Sequence, residues 1–134
     1  MTSPSAPKLV GTLASIDALS GYAALHQEKR LADLVEIRLD GIPPAQHAEC
    51  FQVCRILEQT ETPVMITLRD GALWKKGDAK RLATFKEALK FVSYVDIEHD
   101  SAILSDVVSA AHKLDRKVVV SYHNYDETPA SREL

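Results

Sequence analysis

The chain has 134 residues, enough for one hydrophobic core and too few for two. It is 46% hydrophobic and 26% charged with a formal net charge of -3, ordinary values for a globular domain. The mixed signs offer no basic face for nucleic acid, and no apolar run approaches a membrane span. Residues 1–6 are small and polar, without the apolar stretch of a signal peptide, so a cytoplasmic location is expected, with neither nucleic acid nor membrane as partner.

Residues 1–6 read as a disordered leader, and residues 7–13 (Pro-Lys-Leu-Val-Gly-Thr-Leu) as a first short strand. Ser15 is placed to cap a helix in which Ile16, Leu19, Ala23 and Leu25 trace one stripe. A second strand covers residues 33–40 (Asp-Leu-Val-Glu-Ile-Arg-Leu-Asp). Gly41-Ile-Pro-Pro then makes a loop whose prolines suit the start of a helix running to Gln59, with Phe51, Cys54 and Leu57 inward. Cys50 and Cys54 read as reduced residues packed on the core, because a metal site would need a loop-borne spacing and a second ligand pair.

A third strand covers residues 63–70 (Pro-Val-Met-Ile-Thr-Leu-Arg-Asp), followed by a loop over 71–77. Asp78 is placed to cap a helix carrying Leu82, Phe85 and Leu89. The fourth strand is 94–99 (Tyr-Val-Asp-Ile-Glu-His), and Ser101 is placed to cap a helix with Leu104, Val107, Val108, Ala111 and Leu114 inward. The fifth strand starts at Lys117, runs through Val118, Val119 and Val120, and turns polar at Ser121 and His123. Thr128-Pro129 has the form of a cap and a first helical residue, so a further helix is expected to start there. Strands alternating with helices in this way make stacked βαβ units and a parallel sheet, an α/β fold.

Period-two alternation sorts the strand residues onto two faces. Val35, Ile37 and Leu39 share one face with Val64, Ile66, Leu68, Val95, Ile97, Val118, Val120 and Tyr122, an apolar surface suited to lie under helices. The other face carries Thr12, Glu36, Arg38, Thr67, Arg69, Asp96, Glu98, Ser121 and His123. A doubly wound sheet, covered on both sides, could not bury so many charges. A (β/α) barrel of TIM type can, because its strand tips open on a wet mouth where the site is built. The expected architecture is therefore such a barrel, incomplete, with five strands in this chain.

At that mouth Arg38 and Arg69 form a positive pair suited to a small carboxylate, which guanidinium groups grip through parallel hydrogen bonds. Glu36, Asp96 and Glu98 supply counter-charge, and His123 is the natural general acid or base. An ion-pair network that merely closes the barrel top is the alternative. A metal on Asp96, Glu98 and His123, with His99 turned away, is opposed by the two arginines.

Four segments, Asp33-Leu-Val-Glu-Ile-Arg-Leu-Asp40, Pro63-Val-Met-Ile-Thr-Leu-Arg69, Tyr94-Val-Asp-Ile-Glu98 and Val120-Ser-Tyr-His-Asn-Tyr-Asp-Glu-Thr-Pro129, together resemble type I 3-dehydroquinate dehydratase, in that family's order and near its spacing. The resemblance implies a (β/α)8 barrel, of which residues 7–134 would be the N-terminal part. It also implies loss of water from 3-dehydroquinate to give 3-dehydroshikimate, in the shikimate pathway. A lysine forms a Schiff base with the substrate ketone, a histidine takes the C2 proton, and no cofactor is needed. On the matching positions His123 would be the acid/base, Thr12, Glu36, Arg38 and Arg69 would hold substrate, and Asp96, with Glu98 and Ser121, would support them.

Two features depart from the family. Its Glu-Gly-Gly segment after the third-strand arginine is replaced here by Asp70-Gly71-Ala72-Leu73. Its Schiff-base lysine belongs to a sixth strand, past Leu134. Lys8 and Lys117 are at the wrong ends of their strands, and Lys75 and Lys76 sit on a loop, whereas a nucleophilic lysine needs a fixed, desolvated setting. Five strands would leave two bare edges, so self-association or a C-terminal half is expected as partner. The chain alone is expected to be inactive. The competing reading is a non-catalytic relative that keeps an anion-binding mouth for a small carboxylate or a partner chain.

Overall fold

The computed structural model describes residues 9–69 and 78–122, and the backbone of 130–133. Five strands, β1 (Val10–Leu13), β2 (Leu34–Arg38), β3 (Val64–Thr67), β4 (Tyr94–Glu98) and β5 (Lys117–Tyr122), lie side by side in chain order and all parallel. They are joined by helices α1 (Ile16–Ala23), α2 (His47–Gln59), α3 (Asp78–Ala88) and α4 (Leu104–Lys113). Strands that neighbour one another in sequence also neighbour in space, the order of a barrel wall rather than of a doubly wound sheet, whose order reverses at a switch point.

The apolar alternation becomes the core. Val35, Ile37, Val64, Ile66, Val95, Ile97, Val118 and Val120 are buried together with Leu19, Cys54, Leu57, Phe85, Leu89, Val107 and Ala111 of the helices. Ser15 caps α1 as its position predicts, its hydroxyl accepting from the Ala18 amide at 3.1 Å. Ser101, expected as the cap of α4, lies two residues before the cap position at Ile103: its Oγ accepts from the Ile103 amide at 3.3 Å, and the α-helix begins only at Leu104. Asp78 stands as the first residue of α3. Leu25, Leu114 and Tyr122, assigned inward by periodicity, are exposed because each lies at or beyond the end of its element. Ile42, in the loop after β2, is fully buried and joins the core.

Cys50 and Cys54 are both buried and free, as their helical spacing suggests. The Cys54 thiol is pushed far above its ordinary range by its hydrogen bond with Cys50 and by burial, so it stays protonated.

The end of the chain corrects the sequence reading. Thr128 and Pro129 lie outside the described residues, but Ala130–Glu133 is a strand, β6, and not a helix. It runs antiparallel to β5, with Tyr122 opposite Ala130 and Val119 opposite Glu133. The edge of β5 offers these residues a ready hydrogen-bonding ladder, which they take in preference to a helical turn. Among the described residues the sheet therefore has six strands, and the β5 edge expected to be bare is paired.

His47 opens α2, buried, with Nε2 2.9 Å from the Ile42 carbonyl oxygen. Burial holds its pKa below the ordinary value. The folded chain then binds that proton more weakly than the unfolded chain, so protonation favours unfolding. Stability is expected to fall as pH drops below about 6.5, the ordinary histidine value. His47→Gln should flatten that part of the profile, compared by urea unfolding on either side of it. Identical profiles would place the titration on another group.

Candidate active site

The described residues of the polar face run from the middle of the strands, at Glu36 and Asp96, to their C-terminal ends, and the pleat brings these alternate side chains to one side. Two clusters form there. In the first, the Glu36 carboxylate accepts from the Thr12 hydroxyl at 3.0 Å and from the Thr67 hydroxyl at 2.6 Å. The register explains the contact, since Thr12 pairs with Glu36 across β1 and β2, and Arg38 pairs with Thr67 across β2 and β3. Gly41 follows β2 in a single helical turn, where an added Cβ would come within 3.2 Å of the Ala14 carbonyl oxygen. That close approach draws the tips of β1 and β2 together.

The second cluster centres on Arg69, just past β3. Its Nη2 is 2.8 Å from Asp96 Oδ1 and donates to Ser121 Oγ at 3.2 Å, while Nη1 donates to Glu98 at 3.0 Å. Ser121 in turn donates to Asp96 Oδ1 at 2.5 Å. Asp96 and Ser121 are buried, so these charge-assisted bonds operate away from bulk water.

Arg38 departs from the expected pairing with Arg69. Its Nε and Nη2 donate to both oxygens of Asp40 at 3.3 and 3.1 Å, because the chain leaves the strand after Arg38 and turns Asp40 back toward it. The Asp40 hydrogen bond, and the fields of Asp40, Glu36 and Asp96, raise the Arg38 pKa against the opposing effect of burial. The Arg38 side chain is 40% exposed, so this pair contributes about 0–1 kcal/mol to folding and leaves the guanidinium open to a ligand.

Arg81 was absent from the sequence reading. It sits on the inward stripe of α3, four residues before Phe85, and is only 4% exposed. Its Nη2 donates to the Leu68 carbonyl at 2.8 Å and to Glu98 at 3.1 and 3.3 Å. Its Nε is buried without a partner among the described residues, a loss of about 1–3 kcal/mol. A charge in register with Phe85 and Ala88 on a helix otherwise apolar on that side was the available signal.

His123 lies outside the described residues, as do Asp70, Lys8, Lys75 and Lys76. Lys117 stands at the first position of β5, 5.9 Å from the Tyr94 ring, at the opposite end of the sheet from the cluster. His99 stacks on Tyr122 at 4.5 Å, on the face away from Asp96 and Glu98, as the alternation requires. Among the described residues no group of three or more His, Cys, Asp or Glu side chains is placed to hold a metal ion. No described helix is long and apolar enough to cross a membrane.

A family model for type I 3-dehydroquinase matches residues 12–134. The 3-dehydroquinate dehydratase of Thermococcus onnurineus is 36% identical over 107 residues, covering 77% of this chain and 47% of that protein. That of Methanocella arvoryzae is 28% identical over 134 residues, covering 96% of this chain and 56% of that protein. The chain thus spans about half the length of the curated relatives it matches. Among solved structures, the 3-dehydroquinate dehydratase of Aquifex aeolicus superposes with a TM-score of 0.70 at 23% identity, covering 91% of this chain and 56% of that one. That of Enterococcus faecalis does so with a TM-score of 0.70 at 23% identity, over 92% of this chain and 56% of that one. The four strand-tip segments, the parallel order of β1 to β5 and the match over residues 12–134 agree, and the chain belongs to the type I 3-dehydroquinase family.

Proposed function

We propose that this chain supplies the substrate-holding part of a 3-dehydroquinate dehydratase. The observation that carries the reading is Arg69, locked by Asp96, Glu98 and Ser121 at the tips of three adjacent strands. A guanidinium fixed on two sides presents its remaining edge in one orientation, which favours a small polyhydroxy carboxylate over a generic anion. Arg38 adds a second, more open cation, and the Glu36 carboxylate, oriented by Thr12 and Thr67, can accept from a substrate hydroxyl. His123 is assigned the transfer of the C2 proton, on its match to the family segment. The lysine that makes the Schiff base would come from the rest of the barrel, whose further strands, or a second copy of the chain, would cover the polar face. A protein that binds the carboxylate without turning it over is the alternative.

The test is titration of the full-length protein with quinate, a non-reacting relative of the substrate. Binding is expected, and Arg69→Lys should weaken it about tenfold, because an ammonium cannot hold Asp96, Glu98 and ligand at once. Equal affinity in both proteins would remove Arg69 from the site.

A further inference from the structure

We propose that Arg81 is a positioning residue that sets both the geometry and the net charge of the Arg69 cluster, and so tunes its affinity for a carboxylate; the inference rests on the substrate-holding role proposed above.

Arg81 reaches Arg69 from two sides. Through the Leu68 carbonyl it holds the backbone one residue before Arg69, and through Glu98 it holds the acceptor of Arg69 Nη1. Both contacts come from one buried guanidinium at the start of α3, so the helix and the tips of β3 and β4 are tied to a single group. Arg69 cannot swing without disturbing at least one of them.

The charge argument is independent of that geometry. Arg69 faces two carboxylates, Asp96 at 2.8 Å and Glu98 at 3.0 Å. Alone, these three groups carry one net negative charge and would repel an incoming carboxylate. Arg81, 3.1 Å from Glu98, brings the cluster to neutrality. Because Asp96 and Arg81 are shielded from water, that one charge is felt more strongly than at an exposed position. A helix packing role alone would call for an apolar residue beside Phe85, not for a guanidinium whose Nε has no partner among the described residues.

The experiment uses the full-length protein, with quinate binding measured by calorimetry at low and high salt. Arg81→Met should weaken binding about tenfold at low salt, and less at high salt. Arg81→Lys, which keeps the charge, should recover most of that loss. Glu98→Gln keeps an oxygen for Arg69 but removes a negative charge, so it should bind about threefold more tightly than the unaltered protein. A role confined to packing predicts no tightening in Glu98→Gln, and that result would overturn the inference even if Arg81→Met failed to fold. Arg81→Met binding like the unaltered protein would also overturn it. If the unaltered protein itself fails to bind quinate, the substrate-holding reading falls, and the inference with it.

Discussion

Incubated with 3-dehydroquinate and borohydride, the 134-residue polypeptide is expected to gain no covalent adduct and to release no enone product. In the family's chemistry the lysine imine serves as an electron sink, without which the C2 proton is far less acidic. Among the described residues no lysine stands at the strand-tip cluster. Lys117 is at the N-terminal end of β5 beside Tyr94, remote from the Arg69 cluster. Lys75 and Lys76 lie in the segment between Arg69 and α3, outside the described residues. A lone general base, the role proposed for His123, contributes about 10²–10⁴-fold, against about 10⁶-fold or more for typical enzymes. Intact-mass measurement after reduction reads the imine directly, and absorbance of the conjugated product reads turnover. An adduct on Lys75 or Lys76, or product formation abolished by His123→Ala, would show that a lysine of this chain takes the role.

The second large effect concerns Asp96. Its carboxylate is buried and accepts from Ser121 while pairing with Arg69. Asp96→Ala would leave a partly buried guanidinium and a buried hydroxyl short of a partner. Breaking such a pair from one side costs about 3–5 kcal/mol, more than either hydrogen bond would contribute by itself. Asp96→Asn keeps an oxygen acceptor while losing the charge and should fall between the two. Urea unfolding gives the comparison. A loss in Asp96→Ala no larger than that of a typical surface substitution, about 0.5 kcal/mol, would mean that water reaches Arg69 freely.

The strand-tip cluster also bears on the two readings of the charged face. It is an ion-pair network, with Arg69 and Arg81 set against Asp96 and Glu98. The proposed binding surface adjoins it, since Arg38 and Glu36 remain partly open beside it. The two descriptions are compatible because a site needs rigid support, and buried neutral networks provide it.

What the sequence by itself determined was the two-faced pattern within the strands and helices, away from their ends, where Leu25, Leu114 and Tyr122 escape it. A strand has only two faces, so the alternation of Val35, Ile37, Val64, Ile66, Val95 and Ile97 with Glu36, Thr67 and Asp96 separates core from mouth before any contact is known. The Ser15 cap and the inward placing of Phe51, Cys54, Leu57 and Phe85 follow in the same way. Partner choice within the mouth was decided only by the tertiary structure. Arg38 and Arg69 are equivalent in the strand pattern, yet one turns to Asp40 and the other to Asp96, Glu98 and Ser121. That choice depends on the direction the chain takes after each strand ends. Arg81 is invisible to the strand pattern because its meaning comes from a helix laid across the β3 and β4 tips. Ala130–Glu133 became a strand for the same kind of reason: an unpaired edge on β5, a long-range feature, overrode a local helix signal.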